Sequence, residues 1–149
     1  MSEKFYLAGR YGRREEIADY AAQLGNVVSE WLYGDKDTYA ESAARDLSNL
    51  DRATTLVVFT ELPVEYANAG GLGGCHVEFG YALGQGKRVV VIGPRCPIFH
   101  YLSVVEHYDT WEEFMDHEEV PRPVIICVPD ERFDGFVEAL AMALANLDT

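Results

Sequence analysis

Cysteine is scarce in this sequence and unpaired. Cys75, Cys96 and Cys127 form an odd, widely spaced set with no Cys-x-x-Cys, which argues against a disulfide framework or a zinc site and leaves reduced thiols as the expectation. Histidine is equally thin, and its 4 residues show no metal-ligand spacing, so no metal is expected. Basic side chains number 12 against 25 acidic ones, a net charge of -13. Such a surface repels polyanions, which disfavours non-specific binding of nucleic acid or of an anionic membrane and points to a small-molecule partner. No apolar run approaches bilayer length, and Met1-Ser2-Glu3-Lys4 enters a short apolar stretch without the features of a secretory signal, so a cytoplasmic location is expected. The glycine spacings of dinucleotide and P-loop fingerprints are missing too, and no cofactor is expected.

What is present is an apolar fraction of 48% spread along 149 residues, enough for one core in a single domain spanning residues 1–149. Lys4 to Ala8 reads as a buried strand ending at Gly9. Ile17, Tyr20, Ala21 and Leu24 then recur at helical spacing up to a stop at Gly25. The pattern repeats, with a strand expected over Asn26–Leu32 and a helix over Asp37–Ala53 whose inner stripe is Tyr39, Ala43, Leu47 and Leu50. Thr54 to Phe59 is a nearly continuous β-branched and apolar run, as a central strand covered on both faces requires. A long connection from Glu61 to the glycines before Cys75 leads into a helix over about Cys75–Gln85. Strands follow at Arg88–Ile92, weakly at Val104–Tyr108, and at Val124–Val128; a last helix carries Phe133, Phe136, Val137, Leu140, Leu144 and Leu147. Alternation of this kind implies an α/β fold with an open parallel sheet, helices on both faces and ligands at the carboxyl ends of the strands.

Those ends hold the candidate chemistry. Gly9-Arg10-Tyr11-Gly12-Arg13-Arg14 joins a strand to a helix start, where unpaired N–H groups and guanidinium forks suit an anion. Arg10, nearest the strand, is the best phosphate candidate; Arg13 and Arg14 can equally pair with Glu15, Glu16 or Asp19. Glu78 follows Gly70-Gly71-Leu72-Gly73-Gly74, which places it in the first turn of a helix whose dipole would keep a carboxylate ionised. A glutamate at a helix start is also a common, inert choice. Asp46 lies close to the inward stripe of its helix, where a carboxylate needs a role or a partner, although at the margin it can equally reach water. Tyr6, on a buried strand, needs a partner for its hydroxyl. His76 is read as pointing away from Glu78, Cys75 as a buried thiol, and Trp31, Phe99 and Trp111 as packing residues.

Phe5-Tyr6-Leu7-Ala8-Gly9, Arg45-Asp46-Leu47 before Leu56-Val57-Val58, the glycine-rich loop, and Glu78-Phe79-Gly80-Tyr81-Ala82-Leu83 with Gly86-Lys87 occur in that order. As an ordered set they resemble the nucleoside 2-deoxyribosyltransferase family, which includes deoxynucleoside 5'-monophosphate N-glycosidases. The resemblance implies a flavodoxin-like sheet of about five strands and cleavage of an N-glycosidic bond by retaining double displacement. Glu78 would be the nucleophile, Asp46 would serve the leaving base and Tyr6 would hydrogen-bond the nucleophile. Gly9, Arg10, Tyr11 and Arg13, with Gly71, Gly73 and Gly74, would receive the substrate, and a homo-oligomer would be the assembly. One departure is plain: the run from Gly73 to Glu78 is longer than the family's compact Gly-x-Gly-x-Glu and lacks its Asp or Ser. Gly70-Gly71-Leu72-Gly73 is also similar to the loop of enzymes that cleave ribonucleotide cytokinins, but Glu78 falls one position late for that motif. The alternative from another class is a non-catalytic nucleotide sensor on the same fold.

Overall fold

Four short segments rich in β-branched and apolar residues pair in the computed structural model, which describes residues 2–34, 37–68, 73–118 and 143–144. They are β1 (Phe5–Ala8), β2 (Thr55–Phe59), β3 (Arg88–Ile92) and β4 (Val105–Tyr108), joined in parallel in the order β1-β2-β3-β4. Every residue of β1 and β2 is buried, as expected where helices cover both faces of a parallel sheet. The helices are α1 (Arg14–Leu24), α2 (Tyr39–Arg52), α3 (Pro63–Asn68), α4 (Gly74–Gly84) and α5 (Trp111–His117). The expected α/β architecture is therefore the observed one, and among the described residues no helix is long and apolar enough to cross a membrane.

Side-chain alternation along the strands sorts the helices onto the two faces. Phe59 stacks with Tyr20 of α1 and lies against Trp111 of α5, so that face holds α1 and α5. Val57, two residues earlier, shares it, and so does Leu7, paired in register with Val57. Tyr6 must then face the other way, paired with Leu56, and it meets α4 there. Helix α2 joins α4 on this second face: Tyr81 and Gln85 both donate to Asp51 Oδ1, at 2.8 and 2.9 Å. Its entry is fixed by a capping box in which Thr38 and Glu41 each accept from the other's backbone N–H.

The strand expected over Asn26–Leu32 is reduced to one parallel bridge, Phe5 to Val27, followed by a 3-10 turn over Glu30–Tyr33. The backbone turns into αL at Asn26 (φ 50°), and side chains then replace the ladder. Leu7 N–H donates to Ser29 Oγ at 2.6 Å, and Trp31 Nε1 donates to Leu7 O at 2.8 Å. The edge of β1 is thus satisfied without a fifth full strand, and the described sheet has four strands where about five were expected.

The inner stripe of α2 is also displaced from expectation. Tyr39 is 97% exposed and Ala43 is exposed, whereas Ser42, Arg45, Asp46 and Leu47 are half-buried and Asn49 and Leu50 are buried. The face that meets the molecule is polar at Ser42, Arg45 and Asp46 and turns apolar at Leu47 and Leu50, with the buried Asn49 between them. The residues Val124–Val128 and most of the expected last helix lie outside the described residues; Ala143 and Leu144 are helical.

Candidate active site

Tyr6 and Glu78 meet at the second face of the sheet. Strand β1 carries Tyr6 inward with 0% exposure, and α4 presents Glu78 above it. The phenol donates to Glu78 Oε1 at 2.5 Å, a short charge-assisted geometry when the acceptor is ionised. Gly73, at φ 73°, is the residue before α4, and this left-handed turn aims the helix at the strand edge at little cost only because no Cβ is present.

Two expectations for Glu78 are corrected by this placement. With α4 starting at Gly74, Glu78 falls in the second turn rather than the first. Its carboxyl is moreover pushed up to about 7, foremost by burial, against a lowering by the Tyr6 hydrogen bond and with a further rise from the charge of Asp46. Desolvation outweighs the Tyr6 hydrogen bond, so near neutral pH the group exchanges its proton rather than staying fully ionised. The Tyr6 phenol is raised well above its usual range, first by burial and then by Glu78, with Asp46 adding to the rise and Arg45 opposing it. Asp46 is therefore close enough to both groups for its charge to act on them. Its Oδ1 accepts from Arg45 Nε at 3.2 Å and from Arg45 Nη2 at 3.0 Å.

The loop after β1 behaves differently. Gly9 is tightly packed: a Cβ there would lie 2.5 Å from Ile17 Cδ1, and that side chain would have to shift. Arg13 is occupied: it donates to Glu16 through Nε at 2.8 Å and to Glu61 Oε1 through Nη1 at 2.9 Å, and its guanidinium lies over the Phe59 ring. That position belongs to the α1 and α5 face, across the sheet from Glu78. Arg13 there lines a pocket of about 310 Å³ with Thr60, Gly93 and the Tyr20–Phe59–Trp111 aromatics. Arg14 donates to the Tyr11 hydroxyl at 2.8 Å and stacks on its ring. Arg10 stays closest to the strand end, with Nε 4.0 Å from Glu61 Oε1, and among the described residues that buried Nε meets no hydrogen-bond partner. Gly74 is exposed at the start of α4, and Gly71 lies outside the described residues.

Glu61, 7% exposed, is the residue the sequence reading missed. It follows the central strand's carboxyl end, where an acid facing a basic loop could have been noticed, and it ties β2 to the arginine loop. His76 is half-buried, with its ring 6.3 Å from that of His100. Cys75 is buried, as are Trp31 and Trp111, but Phe99 is 57% exposed and is not a core residue. The turn that carries it, Ile98–Tyr101, buries His100 instead. Among the described residues no group of three His, Cys, Asp or Glu side chains could hold a metal ion.

No protein-family model and no curated protein matches the chain. Among solved structures, that of the CMP N-glycosidase BcmB from Clostridium botulinum is similar, with a TM-score of 0.55 and 18% sequence identity over 76% of this chain and 96% of that one. At this identity the likeness concerns the fold, and it agrees with the open parallel sheet described above.

Proposed function

We propose that this chain cleaves the N-glycosidic bond of a nucleoside 5'-monophosphate or nucleoside, with Glu78 as the nucleophile. The observation that carries the proposal is the 2.5 Å hydrogen bond from Tyr6 to Glu78 Oε1 in a place where Asp46 acts on both groups. A buried tyrosine, a proton-exchanging carboxylate and a second carboxylate have no packing purpose together, because each costs desolvation that an apolar residue would avoid. A pure sensor of nucleotides needs none of the three.

In the first step Glu78 attacks C1' of the sugar while the bond from C1' to the base nitrogen breaks. The bonding pair leaves with the base, and Asp46, ionised at rest beside Arg45, takes a proton from solvent and passes it to the departing nitrogen. Tyr6, holding Oε1, steers the other carboxylate oxygen to C1' and tempers the charge that builds and fades on Glu78. Water, giving its proton to the ionised Asp46, or a second base then attacks C1' from the vacated side, freeing Glu78 and leaving the sugar with its original configuration. Arg10 beside the strand end suits a 5'-phosphate, and the name of the similar structure, a CMP N-glycosidase, favours a monophosphate over the free nucleoside. The resemblance read in the sequence favours 2'-deoxyribose.

The test is incubation with ribo- and 2'-deoxyribonucleosides and their 5'-monophosphates, with and without an acceptor base, monitored for free base and exchanged product. Base release by the wild type and its loss in Glu78→Ala are expected. Identical traces from both proteins would refute the enzymatic assignment, while product only with acceptor would make the chain a transferase rather than a hydrolase.

A further inference from the structure

Arg45 occupies a position on α2 that the glycosidase assignment leaves without a task. Neighbouring residues of a helix do not ordinarily face one another, yet Arg45 turns back so that Nε and Nη2 both reach Oδ1 of Asp46, at 3.2 and 3.0 Å. Its remaining terminal nitrogen, Nη1, donates at 3.0 Å to Oδ2 of Asp37, which stands just before the helix. The guanidinium is therefore held from two sides, and its side chain is only 19% exposed. A planar fork fixed at one end is a rigid template for whatever the other end grips.

We propose that Arg45 is a positioning residue for the reaction, whose fork, anchored on Asp37, sets the direction in which Asp46 presents its carboxyl to the leaving base. This rests on the role assigned to Asp46 in the proposed function. By fixing Oδ1, the fork restricts the carboxyl to one orientation and therefore fixes where Oδ2 lies. Its charge also opposes that of Asp46 at the Tyr6 phenol, which registers the two neighbours with opposite sign. A lysine at the same place would supply the charge without the fork.

The discriminating experiment compares wild type, Arg45→Gln and Arg45→Lys by steady-state kinetics over pH, using the best substrate of the panel. Arg45→Gln should lower kcat ten- to a hundredfold with KM within about threefold, as loss of positioning predicts, and should move the acid limb of kcat/KM to higher pH. Arg45→Lys should return that limb towards the wild-type position while kcat stays depressed. Full recovery of kcat by lysine would overturn the positioning role, and so would a glutamine variant with wild-type kcat. A readout independent of turnover separates this from failure of the assigned activity. The carboxyl carbon resonance of Asp46, followed by NMR as pH is lowered, should titrate at higher pH in Arg45→Gln than in wild type. An unchanged midpoint would overturn the proposal even if no substrate in the panel were cleaved.

Discussion

Tyr6 on β1 donates its phenol to Oε1 of Glu78 on α4 at 2.5 Å, across 72 positions of sequence. The bond favours the ionised form of Glu78, while burial and Asp46 oppose it, and the balance stands at about 7. If Glu78 must be ionised to attack, kcat/KM should rise with pH and level off above about 7. Tyr6→Phe removes the one favourable contribution, so the limb should move to higher pH and turnover should fall about ten- to a hundredfold, the range for a hydrogen bond to a charged group. A pH–rate profile of the two proteins measures both effects, and a limb that stays in place in Tyr6→Phe would remove the phenol from the mechanism.

Asp46 should act with the opposite sign. Its charge raises Glu78, so Asp46→Asn should draw the acid limb below the wild-type value even as it slows base release. The slowing should be smallest for substrates whose base leaves easily, because a good leaving group needs less help from a proton donor. Kinetics on a series of bases of graded leaving ability, at two pH values, would check this; equal slowing across the series would assign Asp46 to binding alone.

Glu78 also links activity to stability. Its folded value of about 7 lies above the ordinary 4.5, so the folded state binds the proton more tightly than the unfolded chain does. The contribution of this carboxyl to stability is therefore fully present below about pH 4.5 and is lost as pH rises through about 7. Glu78→Gln keeps a carbonyl oxygen for Tyr6 but has no charge to bury. Relative to wild type it should be more stable at pH 8, by on the order of 1–3 kcal/mol, with the difference shrinking towards pH 5. Urea unfolding at both pH values measures it, and parallel pH dependences would contradict the burial of Glu78 described above.

Much of this arrangement was legible because period and position carry it. The run Thr54 to Phe59 has the composition of the buried strand it forms, and Gly25 and Gly73 stand at helix ends that the structure keeps. Tyr6 and Asp46 stand out in the sequence as polar groups in apolar patterns, and Glu78 as a carboxylate at a glycine-led helix start. What escaped were cases in which side chains do the work of backbone or reverse a periodicity. Asn26–Leu32 has strand composition, but Ser29 and Trp31 satisfy Leu7 instead of a ladder. The stripe of α2 was drawn through Tyr39 and Ala43 by hydrophobicity, whereas the cleft turns Ser42, Arg45 and Asp46 inward. Nor does hydropathy show that burial of Glu78 outweighs its hydrogen bond from Tyr6, since that is a property of the assembled pocket.

Arg10 and Arg13 sit in one loop, and the structure predicts that they fail in different ways. Arg13 fills its donors with Glu16 and Glu61, and Glu61 is 7% exposed. Arg13→Ala strips from a buried carboxylate the cation nearest to it among the described residues, which should cost about 2–4 kcal/mol of stability while leaving KM for nucleosides little changed. Arg10 approaches Glu61 only at 4.0 Å, so Arg10→Ala should cost less than about 1 kcal/mol. Its loss should appear instead as a KM for 5'-monophosphates raised about tenfold or more, with nucleosides unaffected, because only the phosphate uses the guanidinium. Thermal unfolding beside kinetics on matched nucleoside and monophosphate pairs separates the two residues. Equal KM changes for both members of each pair would mean that the strand-end loop does not receive a phosphate, and would turn the substrate assignment towards the free nucleoside.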